Sequence, residues 1–143
     1  MKIEVSIQIN ASLQKVWDVF ADIGNWGDWN PVCRECRFET GKSLVKGACI
    51  SFELKPVILP IRIAPKVDHC ESGKKVVWSG GRMGIYAEHE FYFEENEAGV
   101  ELKSIEYFKG PMLIFARLMF LPSRLHALTI RLLDAIKEEA ESG

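Results

Sequence analysis

From Tyr86 to Glu95 the chain reads YAEHEFYFEE, alternating apolar and polar side chains with a period of two, and from Pro111 to about Glu141 apolar residues recur at helical spacing on more than one face. Neither block is stable alone. A strand with one apolar face needs neighbours and a cover, and a helix this apolar needs more cover than one flat sheet supplies. Together they predict an α+β fold in which a curved antiparallel sheet wraps around the long C-terminal helix. Such an arrangement is a container.

The remaining pattern fits that reading. Ile3, Val5, Ile7 and Ile9 alternate with polar residues, predicting a strand over 2–10. Ser12 can cap a short helix carrying Leu13, Val16, Trp17, Phe20 and Ile23, which Gly24 stops. A second short helical segment holds Trp26 and Trp29 and ends at Asn30-Pro31. Strands are expected at about 34–40, 47–56, 60–70, 74–80, 85–95 and 99–109, separated by glycine-bearing turns, which makes a seven-stranded sheet. Pro56, Pro60 and Pro65 are awkward in a central strand, so a loop, edge or bulge is expected there. Leu118, Leu121, Leu125, Leu128, Leu132 and Ile136 form a stripe read as a core face. Pro122 predicts a kink or two successive helical pieces, and the segment from Met112 to Phe120, apolar nearly all round, predicts either a second contact layer or an exposed gate.

With 143 residues, 48% of them hydrophobic, the whole of 1–143 is expected to form a single domain without metal or disulfide staples. Twenty acidic residues against 18 basic ones give a net charge of -2 and no field for nucleic acid. The charged first strand is unlike a signal region, and the apolar runs are interrupted short of a membrane span, so a cytoplasmic location without stable membrane insertion is expected. Oligomerisation stays open. Cys33 and Cys36 have the spacing of half a zinc site, but neither Cys49 nor Cys70 supplies the other half, and the strand and helix N-terminus of a redox motif are missing around them. They are expected to remain thiols, with no metal and no cofactor.

Strand alternation sends Ala87, His89, Phe91 and Phe93 to one face, and Val100, Leu102, Ser104, Glu106 and Phe108 to one face of the next strand. Glu106 therefore looks into an apolar interior, which is costly unless it is paired, neutral or wet. His89 and Glu106 are nearly equidistant from the turn at Glu97-Ala98, so they are expected to be cross-strand neighbours: a structural pair, a ligand-orienting pair, or an acid-base pair. Phe52 and Trp78 read as core or pocket-wall aromatics and, with Phe91, Phe108, Leu121 and Leu125, complete the expected ligand-binding set, while the catalytic assignment stays open.

Ile9-Asn-Ala-Ser12 leading into Val16-Trp17-Asp-Val-Phe-Ala-Asp22, then Trp26-Gly-Asp-Trp29-Asn30-Pro31, Trp78-Ser-Gly80, His89-Glu-Phe91-Tyr-Phe93 and Glu106-Tyr-Phe108-Lys-Gly110, follow one another along nearly the whole chain. In this order they resemble the START-like helix-grip superfamily, specifically the SRPBCC group of polyketide cyclases/dehydrases and lipid-transport proteins. The resemblance implies a cavity between sheet and C-terminal helix that takes a lipid-like or polyketide-like molecule. Three functions fit it: binding or transport of an apolar molecule, polyketide cyclisation or dehydration by placed acid-base residues, or ligand-responsive regulation through a partner docked on the 112–120 surface. A shared fold does not choose among them.

Overall fold

The computed structural model describes residues 1–54, 61–82, 84–118 and 121–143, those at 61 and 121 by backbone alone. The chain runs β1 (Lys2–Ile9), α1 (Leu13–Ala21), a 3-10 turn (Ile23–Asn25), α2 (Trp26–Trp29), β2 (Cys33–Phe38), β3 (Ile50–Leu54), β4 (Ile61–Ile63), β5 (Lys66–Glu71), β6 (Lys75–Arg82), β7 (Ile85–Asn96), β8 (Gly99–Lys109), α3 (Leu113–Leu118) and α4 (Leu121–Glu141). Every strand pair is antiparallel. A large antiparallel sheet with a C-terminal helix is present, as the patterning requires.

The strand count differs from expectation. Among the described residues, eight strands rather than seven lie in two sheets, ordered β1-β8-β7-β6-β5 and β2-β3-β4. The segment expected as one strand over 60–70 divides at Ala64-Pro65, because proline cannot donate to a ladder. Pro65 instead uses its carbonyl, which accepts from Ile50 N at 3.1 Å, while Val67 N donates to Ala48 O at 2.8 Å. These bonds stitch the two sheets at a corner. Pro56 and Pro60 lie outside the described residues.

Ser12 caps α1 through Oγ, which accepts from Lys15 N at 3.1 Å. The helix ends at Ala21, short of Ile23, the last residue expected in it, and the 3-10 turn follows. Phe20 is fully buried and packs its ring against Trp26, Trp78, Phe91 and Phe93, with centroids 4.8–5.8 Å apart. The aromatic cluster therefore joins the small helices to the five-stranded sheet.

At the other end of the chain, α3 and α4 are the two helical pieces that Pro122 announces. Leu132, Leu133 and Ile136 are buried against the core. Lys137 Nζ donates to Gln8 O at 2.8 Å, and Glu141 accepts from Asn10 N at 2.7 Å, tying the last turns of α4 to the end of β1. Leu118 breaks the expected stripe: it is 72% exposed, as are Ile114 at 69% and Phe115 at 59%. A heptad pattern presumes one continuous helix, and α3 ends at Leu118. Met119 and Phe120 lie outside the described residues. Among those described, no helix is long and apolar enough to cross a membrane.

Candidate ligand cavity

Two adjoining hollows lie between α4 and the sheets. The outer has a volume of about 540 Å³ and is reached by Phe108, Leu113, Ala87, Ile85 and the arginines at 62 and 82. The inner holds about 90 Å³ among Trp26, Phe52, Cys33, Leu128, Thr129 and Leu132. Leu54, Ile63, Trp78, His89, Glu106 and Leu125 line both, so the neck between them carries His89 and Glu106, the two titratable residues common to both linings. The outer volume alone falls in the range of small-molecule sites, roughly 300–1,000 Å³.

His89 on β7 is directly opposite Glu106 on β8. The hairpin between them closes at Asn96–Gly99, and its register puts both side chains on the concave face. His89 Nε2 lies 2.6 Å from Ser104 Oγ, and Nδ1 lies 3.9 Å from Glu106 Oε2. Burial pushes the imidazole pKa below its ordinary 6.5, with the Glu106 carboxyl pulling the other way. His89 is thus neutral near pH 7 and carries one ring proton. The tautomer protonated at Nδ1 turns a donor toward the carboxyl, and in that tautomer Nε2 accepts from the Ser104 hydroxyl.

Glu106 is anchored from the helix side. Thr129 Oγ1 lies 2.6 Å from Glu106 Oε1 and 3.0 Å from the Leu125 carbonyl. The hydroxyl has a single proton, and a helix carbonyl already receives the N–H four residues on, so the shorter contact to Glu106 takes it. Fixed at Oε1, the carboxyl turns Oε2 toward His89. A separation of 3.9 Å is too long for a direct hydrogen bond. It suits two separate bonds to one guest, a donor from Nδ1 and an acceptor at Oε2.

Of the residues expected to bind ligand, Phe52, Trp78, His89, Glu106 and Leu125 meet around the neck and inner hollow, and Phe108 lines the outer one. Phe91 lines neither. It is fully buried, with its ring stacked 3.9 Å from that of His89 and 4.8 Å from that of Phe20, so it supports the histidine from behind. The side chain of Leu121 lies outside the described residues. Sequence reasoning passed over Ser104 and Thr129. Thr129 was detectable as the one polar residue at helical spacing among Leu125, Leu128 and Leu132.

The outer hollow carries more charge than expected. Arg62 donates to Ser51 Oγ at 2.6 Å and to the Glu35 carbonyl at 3.3 Å. Glu39 also reaches this hollow, its carboxyl held below the usual range first by the hydrogen bond from Arg37. Among the described residues, no group of three or more histidine, cysteine or acidic side chains is placed to hold a metal ion.

Solved structures share this architecture at low sequence identity. The protein TTHA0849 from Thermus thermophilus superposes with a TM-score of 0.83 at 10% identity, over 99% of this chain and 98% of that one. The Zhui aromatase/cyclase from Streptomyces sp. R1128 gives 0.79 at 14%, over 99% and 93%. The di-domain ARO/CYC StfQ of the steffimycin biosynthetic pathway gives 0.81 at 13%, with 99% of this chain spanning 51% of that protein. These likenesses establish the fold. By sequence, no curated protein matches the chain. Residues 1–141 do match one family over nearly their full length, and the chain belongs to it: polyketide cyclase / dehydrase and lipid transport.

Proposed function

We propose that the protein binds or carries an apolar small molecule, lipid-like or polyketide-like, whose hydroxyl or carbonyl is held at the His89–Glu106 neck. The observation that carries this reading is the position of an anchored donor and acceptor, 3.9 Å apart, between two mainly apolar hollows of about 540 and 90 Å³. The apolar walls would supply affinity, and the two polar atoms orientation. Mass spectrometry of protein purified under native conditions tests it, with an apolar compound bearing one oxygen function expected to co-purify. Glu106→Gln keeps the shape and should weaken binding of that compound about tenfold, the worth of one hydrogen bond to a charged group. Unchanged affinity with a large loss of stability would make the pair a structural network.

A second reading is cyclisation or dehydration of a polyketide chain, favoured by the same two groups, because a neutral imidazole beside a carboxyl is an acid-base assembly. The aromatase/cyclase names of two structural neighbours are compatible with it. A linear poly-β-ketone thioester, followed by absorbance for an aromatic product, separates the readings. Turnover lost in His89→Gln with binding retained would establish catalysis; binding without turnover leaves a carrier.

A further inference from the structure

We propose that Cys33 and Cys36 are a modification site: a peroxide entering through the ligand cavity oxidises the two thiols to an intramolecular disulfide, which resets the shape of the inner hollow. Strand alternation alone would send residues three apart to opposite faces. Here β2 is interrupted between Arg34 and Arg37, and Glu35 has φ +50, a left-handed conformation uncommon for a residue with a side chain. The bulge turns Cys36 back toward Cys33. Both are buried, at 7% and 1% exposure, and their sulfurs are 3.5 Å apart.

Arg62 holds the bulge by binding both the carbonyl and the carboxyl of Glu35. The Cys33 thiol's hydrogen bond pulls the Cys36 pKa down against the opposing effect of burial, and the charge of Arg62 adds to the lowering. Once deprotonated, Cys36 accepts a hydrogen bond from the Cys33 thiol 3.5 Å away. Cys33 lies on the wall of the inner hollow beside Trp26, Phe52 and Trp78, so the cavity is the route by which a reagent reaches the pair.

As its proton passes across the sulfur–sulfur contact to the Cys36 thiolate, Cys33 attacks the nearer peroxide oxygen. The O–O bond breaks, leaving sulfenic acid on Cys33, and the departing oxygen takes up a proton as water or, from an organic hydroperoxide, as alcohol. Cys36, as thiolate, then attacks the Cys33 sulfur, and the sulfenic oxygen leaves as water with a second proton. The pair loses two electrons and two protons, and the peroxide gains them. A disulfide needs its sulfurs at about 2.05 Å. The contact of 3.5 Å must close, drawing Cys33 along the wall of a hollow of only about 90 Å³ and straining the bulge that anchors Arg62.

The effect on binding rests on the cavity reading above; the thiol chemistry does not. The test treats the full chain with hydrogen peroxide or cumene hydroperoxide, alkylates the remaining thiols and maps tryptic peptides, while 1-anilinonaphthalene-8-sulfonate reports cavity affinity. Expected are a joined pair of peptides ending at Arg34 and Arg37, alkylated Cys49 and Cys70, slower oxidation by cumene hydroperoxide at saturating dye, and a change in dye affinity of about threefold or more that a dithiol reductant reverses. Dye affinity in Cys33→Ser and Cys36→Ser should ignore the oxidant. Should those variants misfold, the wild-type peptides and dye titration still decide. Sulfinic acid without the joined peptides, linkage to Cys49 or Cys70, or a disulfide that leaves dye affinity unchanged overturns the proposal. Dye bound by neither form refutes the cavity reading, and the joined peptides then decide the thiol step alone.

Discussion

Thr129→Val removes the hydroxyl that anchors Glu106 while keeping the β-branched shape and most of the volume of the side chain. Thr129 is 4% exposed and its Oγ1 lies 2.6 Å from Glu106 Oε1, so the substitution removes a buried hydrogen bond rather than a wet one. Such a bond contributes about 1–2 kcal/mol net, and leaving the acceptor without it adds a desolvation cost of similar size. The Glu106 side chain is 15% exposed, which lets water recover part of that cost. The balance is a loss of about 1–2 kcal/mol, or roughly 3–6 °C in Tm for a chain of this size. Urea unfolding measures it, and a double-mutant cycle with Glu106→Leu assigns it. Once Glu106 is gone the hydroxyl has no carboxyl to bind, so Thr129→Val should cost close to nothing in that background. A cost below about 0.5 kcal/mol in the wild type, or the same cost in both backgrounds, would refute the claim that this hydroxyl positions Glu106.

Three further outcomes follow from the geometry. Because burial holds the His89 pKa below its ordinary 6.5, the unfolded chain binds the extra proton first; stability is complete above that value and falls as pH drops through it toward the folded pKa. Wild type should therefore lose stability relative to His89→Gln between about pH 7 and 5.5 in urea titrations, and a constant difference would contradict the buried neutral imidazole. Phe91→Ala should cost about 3–5 kcal/mol in chemical unfolding as a core deletion, whereas Phe108→Ala, on the cavity wall, should cost less and weaken dye binding; equal costs would place both in the core. Gly99 has φ +128, and a Cβ there would sit 2.1 Å from the Ile9 carbonyl oxygen, so Gly99→Ala should destabilise by more than about 1 kcal/mol, and a neutral result in unfolding titrations would argue against this β7–β8 turn packing on β1.

What could be read from the chain and what could not divide along a physical line. The pairing of His89 with Glu106 was legible because alternation fixes the face and a short hairpin fixes the register, both local properties. The Ser12 cap was legible for the same reason. The corner at Ala64-Pro65 was only half legible: proline forbids a continuous central strand but does not say which partners its neighbours will find, and here those come from Ala48 and Ile50. Leu118 misled because a stripe describes a helix without saying where it ends. Cys33 and Cys36 were hidden more deeply, since their meeting on one face depends on a left-handed Glu35, a conformation that the residue type argues against. Two places where local rules fail in this chain, the corner at Ala64-Pro65 and the bulge next to Cys33, lie on the cavity wall.

Under the proposed function, one geometry at the neck would serve both orientation and chemistry. An open cavity lets water screen His89 from Glu106, and two charges about 4 Å apart then interact by only about 1 kcal/mol. Under those conditions an imidazolium would lack the support it needs, and burial keeps the ring neutral, a donor at Nδ1. A guest that fills both hollows expels that water, and at an effective dielectric near 20 the same separation is worth about 4 kcal/mol. A filled cavity would therefore act on His89 in two opposed ways, strengthening its attraction to the carboxyl and deepening the burial that already lowers its pKa. Under the proposed function, a guest with one oxygen function would offer no acidic proton, whereas a polyketone with an acidic methylene beside its carbonyl would offer the neutral imidazole one to take. The chemistry of the guest, set against one fixed pair, would thus decide between carriage and catalysis.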